Sequence, residues 1–425
     1  MKTVAIVAEF NPFHTGHKYI IKKAKELTSA DHVVVIMSGN YVQRGEPAII
    51  NKYLRTSAAL KCGADLVIEL PIRYATASAE YFATGAIKIL NSLNFIDYLV
   101  FGSENDNLDA LNEIADIFTD EPSDFKTILK ANLKKGNSYP LSRSLALSEY
   151  KPELVDVLNH PNNILSIEYL KALKKTNSQI KPFSIKRTND NYNSTILDED
   201  FSSATAIRKA IKNGDLESIK EYIPDCLYDD LNSNYNHTFP VYADDFSLLL
   251  AANLTKQNFD YHTYDTADVF NFEWELSLKD INTDLDNRIK NLSKEFTTFS
   301  EFADEIKSKN ETMSAIYRKL LSITLGLNET DKNLCKTEIT EYVRVLGFKE
   351  ESKIMKELSN NCLAPVIMKN SDGLMLKGDM LKCYKTSLYC DAIYKQVCVN
   401  KFHDTNKARE HIDLQLDNYV VIYKQ

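Results

Sequence analysis

EFNPFHTGH, residues 9–17, lies between an apolar, β-branched run at residues 3–8 and a run at 17–27 whose apolar positions recur at i, i+3, i+4 and i+7. The first run predicts a buried strand of a parallel sheet, and the second predicts a helix. A loop between a parallel strand and a helix N-terminus favours anions, because free N–H groups and the helix dipole point at the ligand. His14 and His17 at that position predict a phosphate site that also stabilises a phosphoryl-transfer transition state.

The four residues His14-Thr15-Gly16-His17 resemble the signature of the HxGH nucleotidyltransferases, which are related to class I aminoacyl-tRNA synthetases. Their position between a first strand and a first helix makes the resemblance specific. Two alternatives remain. One is a turn with two incidental histidines, and the other is a zinc site, for which i, i+3 histidines without a nearby cysteine or acidic ligand are poorly spaced.

The composition predicts a cytoplasmic protein of two or three globular domains. The chain has 425 residues, 44% of them hydrophobic and 26% charged, with no apolar run of membrane-spanning length and no charged-then-apolar leader. Seven scattered cysteines argue against a disulfide framework. The net charge of −8 means that any contact with nucleic acid must come from a local basic patch.

Alternating strand and helix patterns predict an α/β fold with a five-stranded parallel sheet. The resemblance to the HxGH nucleotidyltransferases implies that this fold is of the HIGH-type, Rossmann-like kind. The predicted strands are residues 3–8, 32–37, 65–70, 98–101 and 181–187. A helical insertion is predicted at about 107–177, and the region from 216 to 425 is predicted to be mainly helical, with strand-like segments at 341–348 and 418–423. We therefore predict a catalytic domain at 1–215 and a second region at 216–425.

Polar loops follow several of these strands and converge on one edge of the sheet, where ligands of such folds bind. They are the histidine loop, Gly102-Ser103-Glu104 and residues 38–47, the last of which are too polar and glycine-punctuated to suggest core. For Gly102-Ser103 an ordinary turn is the alternative. Arg44, Lys52 and Arg55 are candidates for holding phosphate or carboxylate, with surface charge as the alternative.

A second candidate site lies at the start of the helix predicted after residue 202. Ser203, Thr205 and Arg208 have the S-x-T-x-x-R spacing of the second HxGH adenylyltransferase signature, whose hydroxyls and N–H groups hold the triphosphate. The alternative role for such hydroxyls is helix capping. Two signatures in the expected order, each on the expected element, predict a nucleotidyltransferase.

Six blocks of sequence, in order, resemble one family, the bacterial tRNA(Met) cytidine acetate ligases. The blocks are VAEFNPFHTGHKYII (7–21), MSGNYVQRGEPAI (37–49), KCGADLVIELP (61–71), FGSEN (101–105), PNNILSIEYLKAL (161–173) and SSATAIRKAI (202–211). The resemblance implies an enzyme that converts acetate and ATP, with Mg²⁺, into acetyl-adenylate and pyrophosphate. It then implies transfer of the acetyl group to N4 of the wobble cytidine of elongator tRNA(Met). The partners are therefore acetate, ATP and that tRNA, with no membrane.

The resemblance also implies roles for individual residues. His14, His17 and Arg208 are expected to be catalytic. The expected ATP-binding residues are Val7, Ala8, Glu9, Phe10, Asn11, Pro12, Phe13, His14, Thr15, Gly16, His17, Lys18, Tyr19, Ile20, Gly102, Ser103, Asn162, Asn163, Arg187, Thr188, Ser203 and Thr205. For Asn162 and Asn163, capping is the alternative.

The region 216–425 is predicted to bind tRNA. Its candidate contacts are Lys307, Lys309, Arg318 and Arg344, for which a solvated charged face is the alternative interpretation.

Two other functions are compatible with parts of the sequence. The first is an adenylyltransferase that acts on a small phosphorylated acceptor, which would leave some 210 residues without a role. The second is an RNA-binding protein with an inactive nucleotide fold, against which the intact His14, Gly16, His17, Thr205 and Arg208 argue.

Overall fold

The computed structural model describes residues 1–104, 107–186, 203–260, 283–309, 311–327, 342–402 and 420–424. Within these ranges no helix is long and apolar enough to cross a membrane.

The centre of the molecule is a sheet that contains all five predicted strands. They are β1 (Thr3–Ala8), β2 (His32–Ser38), β5 (Leu66–Leu70), β6 (Tyr98–Ser103) and β7 (Lys181–Lys186). The five pair in parallel in the order β5-β2-β1-β6-β7. Ile6 at the centre pairs with Val35 on one side and Val100 on the other. The prediction of a Rossmann-like parallel sheet is confirmed.

Three strands from the second half of the chain extend this sheet. They are β8 (Val343–Lys349), β9 (Val366–Ile367) and β10 (Val421–Tyr423). Strand β8 pairs antiparallel with β5, and β9 and β10 pair in parallel with β8. The sheet therefore takes strands from both sides of residue 215, and the division into domains there stays a prediction.

Helices cover both faces of the sheet and form most of the remaining structure. In the first half they are α1 (Thr15–Thr28), α2 (Lys52–Lys61), α3 (Ile72–Ala75), α4 (Ala79–Leu93), α5 (Leu108–Asp120), α6 (Ser123–Lys134), α7 (Tyr139–Tyr150), α8 (Pro161–Lys175) and α9 (Ala204–Lys212). In the second half they are α10 (Asp225–Asn234), α11 (Ser247–Asp260), α12 (Thr283–Leu292), α13 (Phe299–Glu305), α14 (Met313–Thr324), α15 (Ile354–Asn361), α16 (Asn370–Leu374) and α17 (Gly378–Lys401). Short 3₁₀ turns lie at Pro152–Asn159, Glu217–Tyr222, Ala243–Phe246 and Ser293–Glu295. Helices α5 to α8 connect β6 to β7, in the stretch where the sequence predicts a helical insertion.

The strands alternate their side chains between two hydrophobic layers, as a buried parallel sheet requires. Ala5 and Val34 pack on the layer that contains α4 and α8, whereas Val4, Ile6 and Val33 pack on the layer that contains α1 and α2. Each fully buried Val or Ile contributes about 1.5–3 kcal/mol of transfer free energy. The two layers therefore fix the carboxyl edge of the sheet, on which the candidate site lies.

The expectation that the segment at 38–47 lies outside the core is wrong. The segment forms a two-stranded hairpin of β3 (Tyr41–Val42) and β4 (Glu46–Pro47), which pair antiparallel. Tyr41 is buried, donates a hydrogen bond to the Cys390 carbonyl and packs edge-on against Phe246. Contacts with helices from the far end of the sequence bury this hairpin, and local polarity gives no sign of them.

Candidate active site

The histidine loop caps helix α1 with its own side chains. His14 Nδ1 accepts a hydrogen bond from the Gly16 N–H (3.1 Å), and His17 Nδ1 accepts one from the His14 N–H (3.2 Å). A neutral imidazole that accepts at Nδ1 carries its proton on Nε2. The capping contacts therefore orient both rings with Nε2–H as a donor for an anionic ligand.

Aromatic neighbours hold the two rings in place. The His14 and His17 ring centroids are 3.8 Å apart, and Phe10 and Phe13 pack against His17 at 4.9 and 5.5 Å. Phe10 has a positive φ of 51°, which is uncommon for a residue with a side chain and typical of functional loops. Asn11 Oδ1 accepts from the Ile49 N–H (2.9 Å) and thereby ties the loop to the chain that follows the hairpin.

The second signature meets the first through Arg208. Ser203 is the N-cap of α9 and accepts a hydrogen bond from the Ala206 N–H. Arg208 donates to the Asn11 carbonyl (2.8 Å) and to the Thr205 hydroxyl (3.2 Å). A guanidinium at this junction presents a cation beside the N-termini of α1 and α9.

The amide pair of α8 holds a carboxylate of the β6 loop. Glu104 accepts from Asn162 Nδ2 (2.6 Å) and from the Asn163 N–H (3.0 Å), and its own N–H donates to Asn163 Oδ1 (2.9 Å). Asn163 is fully buried and also donates to the Val157 carbonyl. The side chain of Asn163 is thus used to build the loop, whereas Asn162 also reaches the ligand cleft.

These elements surround a cleft of about 1270 Å³ at the carboxyl edge of the sheet, part of it open to solvent. The predicted residues that line it are Val7, Ala8, Glu9, Phe10, Asn11, His14, His17, Ile20, Gly102, Asn162, Ser203, Thr205 and Arg208. The structure thus brings residues from both signatures into one cavity. Their individual roles in binding stay predictions.

The remaining predicted ATP-binding residues do not line the cleft. They are Pro12, Phe13, Thr15, Gly16, Lys18, Tyr19, Ser103 and Asn163. Pro12 and Phe13 instead border an apolar groove on the other side of the histidine loop. Arg187 and Thr188 lie outside the described residues.

The sequence interpretation missed several lining residues. Leu165, Ser166 and Tyr169 on α8 lie three, four and seven residues after Asn162 and form one helical face towards the cleft. This periodicity was the signal that could have found them. Gln43 and Glu46 come from the hairpin.

Glu9 is a carboxylate in the lining of the cleft. Its Oε1 accepts from the Gln43 N–H at 2.7 Å. Burial raises the pKa of Glu9, against the opposing effects of the Gln43 N–H and of the nearby Arg44 and Arg208 guanidinium groups. A carboxylate therefore lies among the cations of a cleft that is otherwise suited to anions.

Two of the candidate anion-binding cations have structural partners instead. Arg55, 1% exposed, donates to the carbonyls of Glu9, Ser38, Gly39 and Ile50. Burial lowers the pKa of Arg55 to about 10. Lys52 is equally buried and pairs with Glu69 (2.7 Å) and with Asp391. Arg55 and Lys52 are therefore corrected from ligand contacts to residues that hold the loops together, while Arg44 lines the cleft.

The predicted tRNA contacts divide in a similar way. Arg344, 7% exposed, forms ion pairs with Glu69 (2.9 Å) and Asp391 (3.1 Å), so it is buried inside the protein and neutralised. This corrects its assignment as a surface contact. Arg318 is partly buried and donates to the Gln43 carbonyl (3.2 Å). Lys307 and Lys309 are exposed.

Comparisons with known proteins agree with this architecture. Residues 1–410 match the family model described as HIGH Nucleotidyl Transferase. The chain is 41% identical over 396 residues to the tRNA(Met) cytidine acetate ligase of Clostridium novyi, covering 91% of this chain and 95% of that protein. It is 36% identical over 395 residues to the enzyme of the same name from Acetivibrio thermocellus, covering 90% and 91%.

Two solved structures of Thermotoga maritima TmcAL superpose on the whole chain. The apo structure has a TM-score of 0.88 and 26% identity, and the structure bound with alpha-thio ATP has a TM-score of 0.85 and 27% identity, each covering 100% of both chains. The chain therefore belongs to the tRNA(Met) cytidine acetate ligase family of HIGH nucleotidyltransferases.

Proposed function

We propose that this protein is a tRNA(Met) cytidine acetate ligase that forms acetyl-adenylate from acetate and ATP and acetylates N4 of the wobble cytidine of elongator tRNA(Met). One observation supports this most strongly. Residues of two signatures about 190 positions apart, His14 and His17 from the first and Thr205 and Arg208 from the second, line one cleft at the carboxyl edge of the sheet.

The residues of the cleft suit the first half-reaction. Acetate attacks the α-phosphorus, the bond to the β-phosphate oxygen breaks, and pyrophosphate leaves. No covalent intermediate with the protein is needed, so catalysis consists of positioning and of stabilising negative charge. His14, His17 and Arg208, together with the N-termini of α1 and α9, supply donors and positive potential for this charge.

We expect Mg²⁺ to enter with the nucleotide. Among the described residues, no group of three or more His, Cys, Asp or Glu side chains is arranged to hold a metal ion. Mg²⁺ in nucleotide sites is often held largely by phosphate oxygens and water, which would neutralise charge on the leaving pyrophosphate.

We further propose that the region 216–425 binds the tRNA. Lys307 and Lys309 are its exposed candidates, with Arg318 nearer the cleft. A tRNA substrate also implies a cytoplasmic protein. Arg187 and Thr188 remain proposed ATP contacts on the strength of the family resemblance.

The direct test is to incubate the purified protein with ATP, Mg²⁺, labelled acetate and bacterial tRNA, and then to analyse the nucleosides. We expect label in N4-acetylcytidine that depends on ATP and on elongator tRNA(Met). A parallel assay of acetate-dependent ATP–pyrophosphate exchange reports the first half-reaction alone. Exchange that needs a phosphorylated acceptor instead of acetate would overturn the proposal in favour of a small-acceptor adenylyltransferase. The absence of both reactions would favour a non-catalytic RNA-binding protein.

A further inference from the structure

We propose that Glu9 accepts the proton that leaves the N4 amine of the acceptor cytidine during acetyl transfer. This inference rests on the proposed function and assigns to Glu9 a role that is separate from holding ATP.

The position of Glu9 gives it access to the reacting groups. It directly follows β1 and lines the same cleft as His14, His17 and Arg208. Its Oε1 is occupied by the Gln43 N–H. In the part of the chain that the structure describes, no donor is hydrogen-bonded to Oε2. One carboxylate oxygen therefore anchors the hairpin, and the other is available to a ligand.

The surroundings of Glu9 argue against a purely anion-binding role. Burial raises the pKa of Glu9, against the smaller lowering effect of the positive charges of Arg44 on the hairpin, Arg55 on α2 and Arg208 on α9. Burial also raises the pKa of Tyr169 on α8, and the negative charge of Glu9 raises it further. Tyr169 is 2% exposed, and its hydroxyl has no hydrogen-bond partner among the described residues. A carboxylate in this position repels phosphate and acetate. It would instead attract a ligand group that carries N–H.

The two half-reactions differ in their need for a base. Acetate is already ionised at neutral pH, as any ordinary carboxyl group is, so its attack on phosphorus releases no proton. The cytosine amine must lose one. When N4 attacks the carbonyl carbon, the new C–N bond forms, the bond from that carbon to the phosphate oxygen breaks, and AMP leaves with the electron pair. One N4 proton then passes to Glu9 and afterwards to solvent. Carboxylates are natural acceptors for the cytosine N4 hydrogen.

The variant Glu9→Gln removes the negative charge but keeps the hydrogen bond to the hairpin, because a glutamine Oε1 can still accept the Gln43 N–H. We expect acetyl transfer to fall about 10²–10⁴-fold, the usual contribution of a general base. The loss in ATP–pyrophosphate exchange should be at least about tenfold smaller than the loss in transfer. Transfer is measured in single turnover from preformed acetyl-adenylate, and exchange is measured without tRNA.

Two further variants sharpen the test. Glu9→Asp keeps a carboxylate and should retain more transfer activity than Glu9→Gln. Glu46→Gln changes the hairpin carboxylate that lines the same cleft. If Glu46→Gln lost transfer selectively while Glu9→Gln did not, the assignment to Glu9 would be wrong.

The pH dependence gives an independent readout. In the wild type, transfer should rise with pH as Glu9 ionises, through a range above that of an ordinary glutamate because burial raises its pKa. This rise of the transfer rate with pH should be absent in Glu9→Gln. Equal losses of exchange and transfer would instead show that Glu9 acts in adenylation, for example on the adenine amine, and would overturn the proposal. Absence of transfer in the wild type itself would count against the proposed function.

Discussion

At the scale of single residues, side chains that we propose to bind the ligand also build the loop that carries them. The His17 side chain accepts a hydrogen bond from the backbone N–H of His14, and this contact forms part of the capping box at the N-terminus of α1. Removing it therefore has a structural effect as well as a chemical one.

We expect His17→Ala to lower acetate-dependent exchange about 10²–10³-fold, as removal of one preorganised donor does. The missing cap should also reduce the free energy of unfolding by about 1 kcal/mol. The matched variant His17→Gln places the usual capping-box residue at this position. It should recover most of the stability but not the activity. Near-normal exchange in either variant would show that His17 does not take part in the reaction.

At the scale of elements, the hairpin links the cleft to the helices of the second half. The Gln43 N–H donates inward to Glu9, and the Gln43 carbonyl accepts from Arg318 on α14. Gly45 closes the three-residue turn with φ +83°, and a Cβ there would lie 2.1 Å from the Arg318 backbone nitrogen. The hairpin therefore depends on glycine both for its turn and for its packing against α14.

Gly45→Ala should be far more costly than a glycine replacement that changes the turn alone. Gly136 provides the control, because its φ is +82° and a Cβ there would meet nothing within 4 Å. We expect Gly136→Ala to lower the free energy of unfolding by about 1–2 kcal/mol, because an alanine there must adopt the left-handed conformation. Gly45→Ala should cost about 1–3 kcal/mol more, from overpacking, and should also slow exchange. Thermal and denaturant unfolding measure both costs, and equal costs would contradict the packing against α14.

At the scale of the whole molecule, a buried cluster of charges joins the sheet to α17. Lys52 and Arg344 each contact both Glu69 and Asp391, and Asp391 also accepts from Asn40 Nδ2 (2.9 Å). Because Asn40 directly precedes strand β3 of the hairpin, the cluster couples α17 to the cleft.

Asp391→Ala should destabilise the protein by about 3–5 kcal/mol, because it leaves two buried cations to share one carboxylate. Asp230→Ala removes the partner of Lys61 in a more exposed pair and should cost less than about 1 kcal/mol. Urea unfolding of the two variants gives the comparison. A small effect of Asp391→Ala would mean that the cluster does not hold α17 in place.

The proposed binding of tRNA also concerns the whole molecule, because a protein with a net charge of −8 can attract nucleic acid only through local basic patches. The double variant Lys307→Ala/Lys309→Ala should weaken tRNA binding. It should also reduce the dependence of log K on log salt by roughly one for each phosphate that a lysine no longer neutralises. Lys353→Ala/Lys356→Ala, which changes lysines at the start of α15, serves as the control. An unchanged salt dependence in the first variant would exclude this patch.

Local sequence signals were sufficient to predict the five parallel strands and to locate the two signatures, whose roles in binding nucleotide stay predictions. Each depends on apolar periodicity, on a strand-to-helix loop or on residues spaced along one helix. The same signals predicted strand-like segments near residues 341–348 and 418–423, and strands lie there.

Tertiary packing determines what the charged residues do. Arg55, Lys52 and Arg344 have the same appearance in sequence as Arg44, yet the first three are buried against carbonyls or carboxylates supplied by distant elements. The burial of the hairpin at 41–47 has the same origin. Burial and ion pairing depend on contacts between distant residues, such as Asn40 and Asp391, which are 351 positions apart. A local pattern carries no information on such contacts, because it describes only what each segment prefers before it packs.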